Sequence, residues 1–565
     1  MSPSVLERQL ALARRFPCWE PLRLDEMLDR QTASFPDRPY LITDHRVYSY
    51  RDIQSWSVQL ANGLVAAGVK PGEHVALLMA NYPEFVALKF AIARVGAVAV
   101  PINFLNRAAE LSYVLQQSDA VLLITMDRFR DLDYLQALDE IAPDWESAGG
   151  GAVLSRLRGV VVFSALRDCK RPKAMTLDEL CALETQAEFN PGAASSLSDI
   201  IYTSGTTGGP KGVLLTHDML LRTAYASALA RAFEDGRRVL FSLPLYHVFG
   251  YVEGMLSVLF VGGAIVPQLQ FDPVRTVQAL ELHRASDVLM IPTMTLGVIE
   301  AFKSSRHDIS SLRGILSSGA KSPPGIWEEI FAAFGAIEVT TGYGMTETTA
   351  STTVTRPDDP IERLHTTNGR MRDAGVAGDP ALGDRLALYR VVDADSGIEL
   401  PKGMVGELVV KGPSVTAGYY NKPEESAAAF DAQGWFRTGD LGVMDAEGYI
   451  SLRGRKKECY RCGGEQVLPL EVEDVLIRHP AVDQAFVVPM PDRRMGEVGV
   501  AYVVMKAGCA ASAAELIEHC AAQLARFKIP KHVVAITPAE VPVTVTGRPR
   551  KFLLAKRALE ELAGS

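Results

Sequence analysis

Apolar positions along the first two hundred residues alternate between two periods. In "RDIQSWSVQLANGLVAAGV" (51–69) they recur at helical spacing and stop beyond a glycine, which predicts an amphipathic helix. "EHVALLMA" (73–80) is a near-continuous apolar run of strand length, and "EFVALKFAIARVG" (84–96) returns to helical spacing. Strands interleaved with helices imply βαβ units and a largely parallel sheet. "ESAGGGAVLS" (146–155) reads as a surface loop, and the pattern resumes through "RRVLFSLPL", "SDVLMIPTMTLGVIEAF" and "LRGILSSGA". No repeat of solenoid period is present.

Around 379–395 the texture changes to short strands and turns, "LALYRVVDADSGIELPKGMVGELVVKG". After "GYISLRGRKK" a small α+β pattern starts afresh. "LEVEDVLIRHP" and "AAELIEHCAAQLARF" are helical, while "DQAFVVPM" and "GVAYVVMK" are strands. The expected fold class is α/β: a large N-terminal portion of βαβ-type sheets plus a β-rich subdomain, then a small α+β C-terminal domain. The boundaries read as 1–454, a join at 455–458, and 459–565.

Composition narrows the function classes. The chain has 565 residues, 48% hydrophobic and 22% charged, which is globular and large enough for several cores. Its formal charge of −9 argues against nucleic acid as a main partner. The first residues lack the continuous apolar core of a secretory signal. The apolar stretches near 85–105 and 251–267 are broken by Lys89, Arg94 and Glu253, so no membrane span is expected. Seven scattered cysteines suggest a reduced compartment, the cytoplasm. Cys459 and Cys462 form a lone "CYRC" with neither a second pair nor histidines at ligand spacing, so it reads as an incidental loop pair.

The strongest chemical signal is "IIYTSGTTGGPKGVLLTH" (200–217). Between 204 and 211 lie three glycines, three hydroxyl residues and one lysine. Glycine lets backbone approach an anion, hydroxyls donate hydrogen bonds, and Lys211 adds a mobile charge. A P-loop would need Gly-Lys-Ser/Thr leading into a helix. Here Pro210 precedes the lysine, Gly212 follows it, and "VLLTH" has strand character. The stretch reads as a phosphate loop between two strands, with Thr203, Ser204, Gly205, Thr206, Thr207 and Lys211 as binding residues.

This stretch resembles the phosphate-loop signature of the adenylate-forming superfamily: acyl-CoA synthetases, luciferases and adenylation domains of peptide synthetases. Further motifs follow in the family's order, so the resemblance covers nearly the whole chain. "TGYGMTETT" resembles the motif in which Gly342, Tyr343, Gly344 and Met345 border the nucleotide. There Tyr343 stacks on adenine, Thr346 touches phosphate and Glu347 holds Mg2+, as a hard cation requires. "LSSGAKSP" resembles the adenine-side segment, with Gly319 and Ala320 near nucleotide and acyl group. "WFRTGDLG" places Asp440 on the ribose hydroxyls, and "GRKK" supplies Arg455 near ribose and phosphate and Lys457 as the pivot. The family implies two steps: a carboxylate attacks the α-phosphate of ATP, then, after rotation of a mobile C-terminal lobe, a thiol attacks the acyl-adenylate. ATP, Mg2+ and coenzyme A are the implied cofactors.

"SLPLYHVFGYVEGM" lacks the aspartate that binds an amino group in peptide-synthetase domains. It resembles acyl-CoA synthetases, with His247 at the acyl pocket and pantetheine tunnel. The apolar, Met-rich "HVFGYV" and "MIPTMTLG" favour a hydrophobic acid. "CGGEQVLPLEVE" resembles the loop whose glycines, Gly463 and Gly464, line the coenzyme A path. Two departures stand out: Glu458 where the family usually has Asp, and "CYRC" in place of an apolar run. A third is "PVTVTGRPRK", where Arg548 occupies the position of the lysine that bridges acyl carboxylate and α-phosphate. Arginine is bulkier and delocalised, and Pro549 stiffens the chain directly after it. Three readings are open: a full acyl-CoA synthetase in which Arg548 or Lys551 replaces that lysine, a ligase confined mainly to thioesterification, and a catalytically silent nucleotide-binding relative. A carrier protein is an alternative thiol acceptor.

Overall fold

The computed structural model describes residues 3–165, 171, 173–185, 188–203, 209–544, 547 and 549–562. The chain divides into two compact units. The first comprises Met1–His365, Met371–Leu388 and Lys411–Gly434, the second Thr366–Arg370, Tyr389–Val410 and Trp435–Ser565. The second unit thus takes in most of the β-rich stretch that the sequence places before 454.

Two seven-stranded sheets build the first unit. One runs Lys211–Thr216, Leu197–Thr203, Val98–Pro101, His74–Leu78, Ala120–Met126, Gly159–Phe163, Met175–Thr176; every pair is parallel except the first. The other runs Glu338–Thr340, Gly314–Ser317, Asp287–Met290, Arg238–Phe241, Ala264–Pro267, Pro39–Ile42, Val47–Ser49, parallel up to its last, antiparallel pair. Strands His74–Leu78 and Ala120–Met126 are buried at every residue. Helices cover both faces of a parallel sheet, so its strands show apolar runs rather than alternation.

Local chemistry sets the helix ends. Helix Tyr50–Ala66 starts at Ser49, whose hydroxyl accepts from the Asp52 amide while the Asp52 carboxylate accepts from Ser49. Helix Pro83–Arg94 opens on proline, whose missing N–H costs nothing in the first turn, and is buried from Phe85 to its end. It carries Lys89 into the core, where the ammonium pairs with Asp199 on strand Leu197–Thr203. Ser198 also donates to Asp199, at 2.8 Å. The surface loop expected at 146–155 is a run of turns with Gly151, Ala152, Val153 and Ser155 exposed, pinned at Gly149, Gly150 and Leu154, which are buried. A Cβ on Gly149 would lie 2.4 Å from the Leu157 carbonyl oxygen and one on Gly150 2.1 Å from that of Leu154, so these two glycines serve close packing, while Gly151 has open space around it.

The second unit holds a four-stranded sheet, Leu388–Val392, Gly406–Lys411, Phe436–Met444 and Ile450–Arg455. It also holds an α+β body with strands Glu465–Val467, Tyr460–Cys462, Gly496–Met505, Val482–Asp492 and His532–Ala535. Helices Pro469–Ile477, Ala513–Ala521 and Lys551–Leu562 contribute Val472, Leu476, Leu516 and Leu554 to its core. Among the described residues no helix is long and apolar enough to cross a membrane.

The Lys89–Asp199 pair gives a test of the first unit. Asp199→Ala strands a buried ammonium and lowers unfolding stability by about 3–5 kcal/mol, whereas Lys89→Met with Asp199→Leu recovers most of that loss. Urea unfolding of the three proteins checks it.

Candidate active site

Parallel strands deliver their following loops to one edge, and the predicted residues of the first unit lie on those loops. Arg238–Phe241 leads to His247, Gly314–Ser317 to Gly319 and Ala320, and Glu338–Thr340 to Gly342. Ser318 ties two of these loops together: its hydroxyl donates to the Gly342 carbonyl at 2.6 Å. Thr203 and Lys211 are register partners across the antiparallel pair that flanks the phosphate loop. Ser204, Gly205, Thr206 and Thr207 lie outside the described residues. Gly209 has φ +89, and a Cβ there would meet the Tyr113 ring at 3.2 Å. The Tyr113 hydroxyl donates to the Pro210 carbonyl at 3.1 Å, fixing the approach to Lys211.

The "TGYGMTETT" segment is a strained hairpin. Strands Gly342–Met345 and Ala350–Val354 pair antiparallel around a turn of 3-10 helix, Thr346–Thr348. A Cβ on Gly344 would sit 1.8 Å from the Ala350 carbonyl oxygen, so only glycine fits. Thr349 at φ 65 and Ala350 at φ 136 are left-handed without being glycine. The Thr349 hydroxyl donates to the Ser414 carbonyl at 2.7 Å, which helps hold that conformation. Tyr343, Thr346 and Glu347 are buried, while Gly344 is exposed. The Glu347 carboxylate accepts from the Tyr419 hydroxyl at 3.0 Å, and the Tyr419 ring lies 4.7 Å below the Lys211 ammonium. Sequence reasoning missed Tyr419, because nothing in "TAGYYNKP" distinguishes it from a core tyrosine.

The segment expected on the acyl side is a π-helix, Phe249–Leu256, a rare form frequent at functional sites. A Cβ on Gly319 would meet Ile291 at 3.4 Å and Phe249 at 3.6 Å, so both border that glycine. His247 begins this segment, and its Nδ1 accepts from the Phe249 amide at 3.2 Å. Burial pushes the imidazole down to about 4. It is therefore neutral at pH 7 and carries its proton on Nε2.

Within the second unit, Asp440 and Arg455 are register partners, with Arg455 Nε 3.0 Å from Asp440 Oδ1. This is a charge contact rather than an aligned hydrogen bond, since the same Nε has no bond of good geometry. Lys457 is exposed within the 3-10 turn Lys456–Glu458. Gly463 and Gly464, at φ 61 and φ 90, form the two-residue turn between strands Tyr460–Cys462 and Glu465–Val467. That geometry demands residues tolerant of positive φ, a structural reason for both glycines. Cys459 and Cys462 are both free thiols, and burial raises Cys459 to about 11.

Arg548 lies outside the described residues; on either side of it, Val543 and Pro549 form an antiparallel bridge. Lys551 opens the last helix with its ammonium 2.6 Å from Glu473 and 3.4 Å from Glu458. Burial works against this charge, but the two carboxylates outweigh it and raise the lysine above its ordinary value. Lys551 is thus engaged as a brace in this structure.

The carboxylates that could serve a cation are few. Among the described residues no three His, Cys, Asp or Glu side chains gather as a metal site. Mg2+ bound largely through phosphate and water asks for only one or two carboxylates, a demand that the buried Glu347 carboxylate would fit.

Two outcomes follow from these environments. Lys551→Met leaves Glu473 buried without its cation and destabilises the second unit by about 3 kcal/mol, while Lys551→Arg retains most of the stability; denaturant unfolding checks both. For His247 the folded value lies below the unfolded one, so its stabilising effect is full above pH 6.5 and is lost as pH falls towards 4. His247→Gln accordingly flattens the fall in melting temperature between those two values.

The chain matches the AMP-binding enzyme family over residues 28–420 and the AMP-binding enzyme C-terminal domain over residues 471–548. It is 30% identical over 564 residues to the medium-chain fatty-acid–CoA ligase of Escherichia coli, covering 98% of this chain and 94% of that protein. It is 32% identical over 507 residues to the 3-[(3aS,4S,7aS)-7a-methyl-1,5-dioxo-octahydro-1H-inden-4-yl]propanoyl:CoA ligase of Mycobacterium tuberculosis, covering 90% and 93%. ATP-bound MatB from Rhodopseudomonas palustris superposes with a TM-score of 0.81 at 26% identity, covering 95% of this chain and 99% of that one. With both family segments present in order, the chain belongs to the AMP-binding, adenylate-forming enzymes, as an AMP-forming acyl-CoA ligase that uses ATP, Mg2+ and coenzyme A.

Proposed function

We propose that this ligase activates a hydrophobic carboxylic acid, in the size range of a medium-chain fatty acid or a compact ring system, within the cytoplasm. The observation that carries the reading is the apolar border of Gly319, made by Ile291 and Phe249 beside a neutral His247. A charged acid tail there would lose its hydration without gaining a counter-ion. The named acids of the relatives from Escherichia coli and Mycobacterium tuberculosis are in keeping with that size and polarity.

In the adenylation step the acid's carboxylate oxygen attacks the α-phosphorus, and the bond to pyrophosphate breaks. Lys211 and Thr346 bind the phosphates, Tyr343 packs on the base, and Asp440 accepts from the ribose hydroxyls with Arg455 beside it. Glu347 would hold Mg2+, which would supply positive charge against the leaving pyrophosphate. Arg548 supplies the cation between acid and α-phosphate, a role a guanidinium fork performs by pairing with both. The brace that Glu473 and Glu458 place on Lys551 favours Arg548 over Lys551 for that role. In the second step the thiolate of coenzyme A attacks the acyl carbon and AMP leaves. The C-terminal domain turns about Lys457 between the steps, and Gly463 and Gly464 border the incoming pantetheine.

Acid-dependent pyrophosphate exchange, run over straight-chain and cyclic acids, tests this. Exchange with C6–C12 or ring acids, lowered at least a hundredfold by Arg548→Ala and less than tenfold by Lys551→Arg, is the expected outcome. Exchange only with short or dicarboxylic acids would overturn the substrate class. Thioester formation from a supplied acyl-adenylate without any exchange would show that the arginine supports only the second step.

A further inference from the structure

We propose that Tyr419 is a positioning residue for the adenylation half-reaction, setting the phosphate lysine and the cation carboxylate against each other through one side chain. The inference rests on the reading of Lys211 and Glu347 as phosphate and Mg2+ ligands. Its ring lies under the Lys211 ammonium at 4.7 Å, and its hydroxyl donates to Glu347 Oε1 at 3.0 Å. The same residue therefore touches both groups by different chemistry, a π face for the cation and an O–H for the carboxylate.

The backbone around Tyr419 is fixed to the strand that carries Lys211. Leu214 donates to the Gly418 carbonyl at 3.2 Å and Tyr420 donates to the Gly212 carbonyl at 2.8 Å. Val213 and Tyr419 form an antiparallel bridge. On the other side, the Thr416 amide donates to the Glu347 carbonyl at 2.8 Å, and the Thr416 hydroxyl donates to the Leu214 carbonyl at 2.7 Å. Glu347 is thus held at its backbone and at its carboxylate by one short segment. Tyr419 is buried, so its hydroxyl donates to Glu347 away from bulk water.

Two consequences follow. One oxygen of the Glu347 carboxylate is orientated before any cation arrives, which lowers the reorganisation needed to bind it. The Lys211 charge is held over the Tyr419 ring instead of sweeping solvent, which shortens its path to the phosphates. Neither group acts once the acyl-adenylate has formed and pyrophosphate has left, so the influence of Tyr419 ends with the first step.

The test separates the two contacts. Tyr419→Phe keeps the ring and removes the hydroxyl; Tyr419→Leu removes both. Three measurements are made on wild type and each variant: calorimetric binding of ATP with and without Mg2+ in the absence of acid, the Mg2+ dependence of pyrophosphate exchange, and thioester formation from acyl-adenylate plus coenzyme A. For Tyr419→Phe we expect a roughly tenfold higher Mg2+ requirement in binding and exchange, with Mg2+-free ATP binding unchanged. For Tyr419→Leu we expect Mg2+-free ATP binding to weaken as well, by roughly five- to tenfold. Thioester formation stays within about twofold of wild type in both, since neither contact serves the second step. Wild-type Mg2+ dependence in Tyr419→Phe overturns the proposal, and so does an equal loss in both half-reactions, which marks general damage to the fold. Failure of the wild type to exchange with any acid would instead sink the substrate reading, while the calorimetry still decides the part played by Tyr419.

Discussion

Glu253 is the point on which the first unit turns. It is wholly buried on the π-helix Phe249–Leu256, and burial alone would push its carboxyl up. Arg372, Ser227 and Arg231 outweigh that and hold it ionised. Its oxygens accept from the Ser351 amide at 3.2 Å and from Arg372 at 3.1 Å, and the Ser227 hydroxyl donates to it from helix His217–Ala230. Arg231 in turn donates to the Glu253 carbonyl at 3.0 Å and pairs with Asp287 at the start of a sheet strand. One buried acid thereby joins the π-helix, the strand that follows Glu347 and the start of an interior strand of a parallel sheet. An ionised carboxylate in this position is stable only while its partners stay in place, so the parts it joins hold a single arrangement.

That arrangement explains how dissimilar loops act as one site. Each loop follows a different strand, and each carries residues that our reading assigns to a different group, whether phosphate, adenine, cation or acyl chain. Their relative placement comes from cross-links such as Ser318 to Gly342, Thr349 to Ser414 and Tyr419 to Glu347, all formed between loops rather than within them. The parallel sheet sets the coarse spacing, and these polar contacts set the fine one.

The same division decides how much was legible in the chain itself. The βαβ alternation arises from burial on both faces, which writes apolar runs directly into the sequence, and so the sheets were readable. The family was readable because its motifs place particular residue types at close spacing and in a fixed order. Tyr419 was not, since its partners Lys211 and Glu347 meet it only through strand pairings between segments far apart in the chain. Lys551 looked like a spare cation in "RPRK", but the acids that brace it come from segments far upstream. The pair Gly463–Gly464 had a signal, yet the signal of a turn and that of a ligand path coincide. The stretch 146–155 hid one detail for a related reason: Gly149 and Gly150, required by close packing, resemble glycines chosen for flexibility.

The hairpin around Gly344 has a consequence for how such an enzyme changes over time. With the Ala350 carbonyl 1.8 Å from where a Cβ would stand, and two neighbouring residues already left-handed, that hairpin admits almost no substitution. The acyl border is built differently: Ile291 and Phe249 approach Gly319 at ordinary van der Waals separations, where one apolar side chain can be exchanged for another at modest cost. Mutational freedom is therefore distributed unevenly across a single site. If the hairpin handles the nucleotide and the Gly319 border the acid, as we propose, the first is frozen and the second free to drift, and a lineage built on this scaffold acquires new substrates without relearning its chemistry.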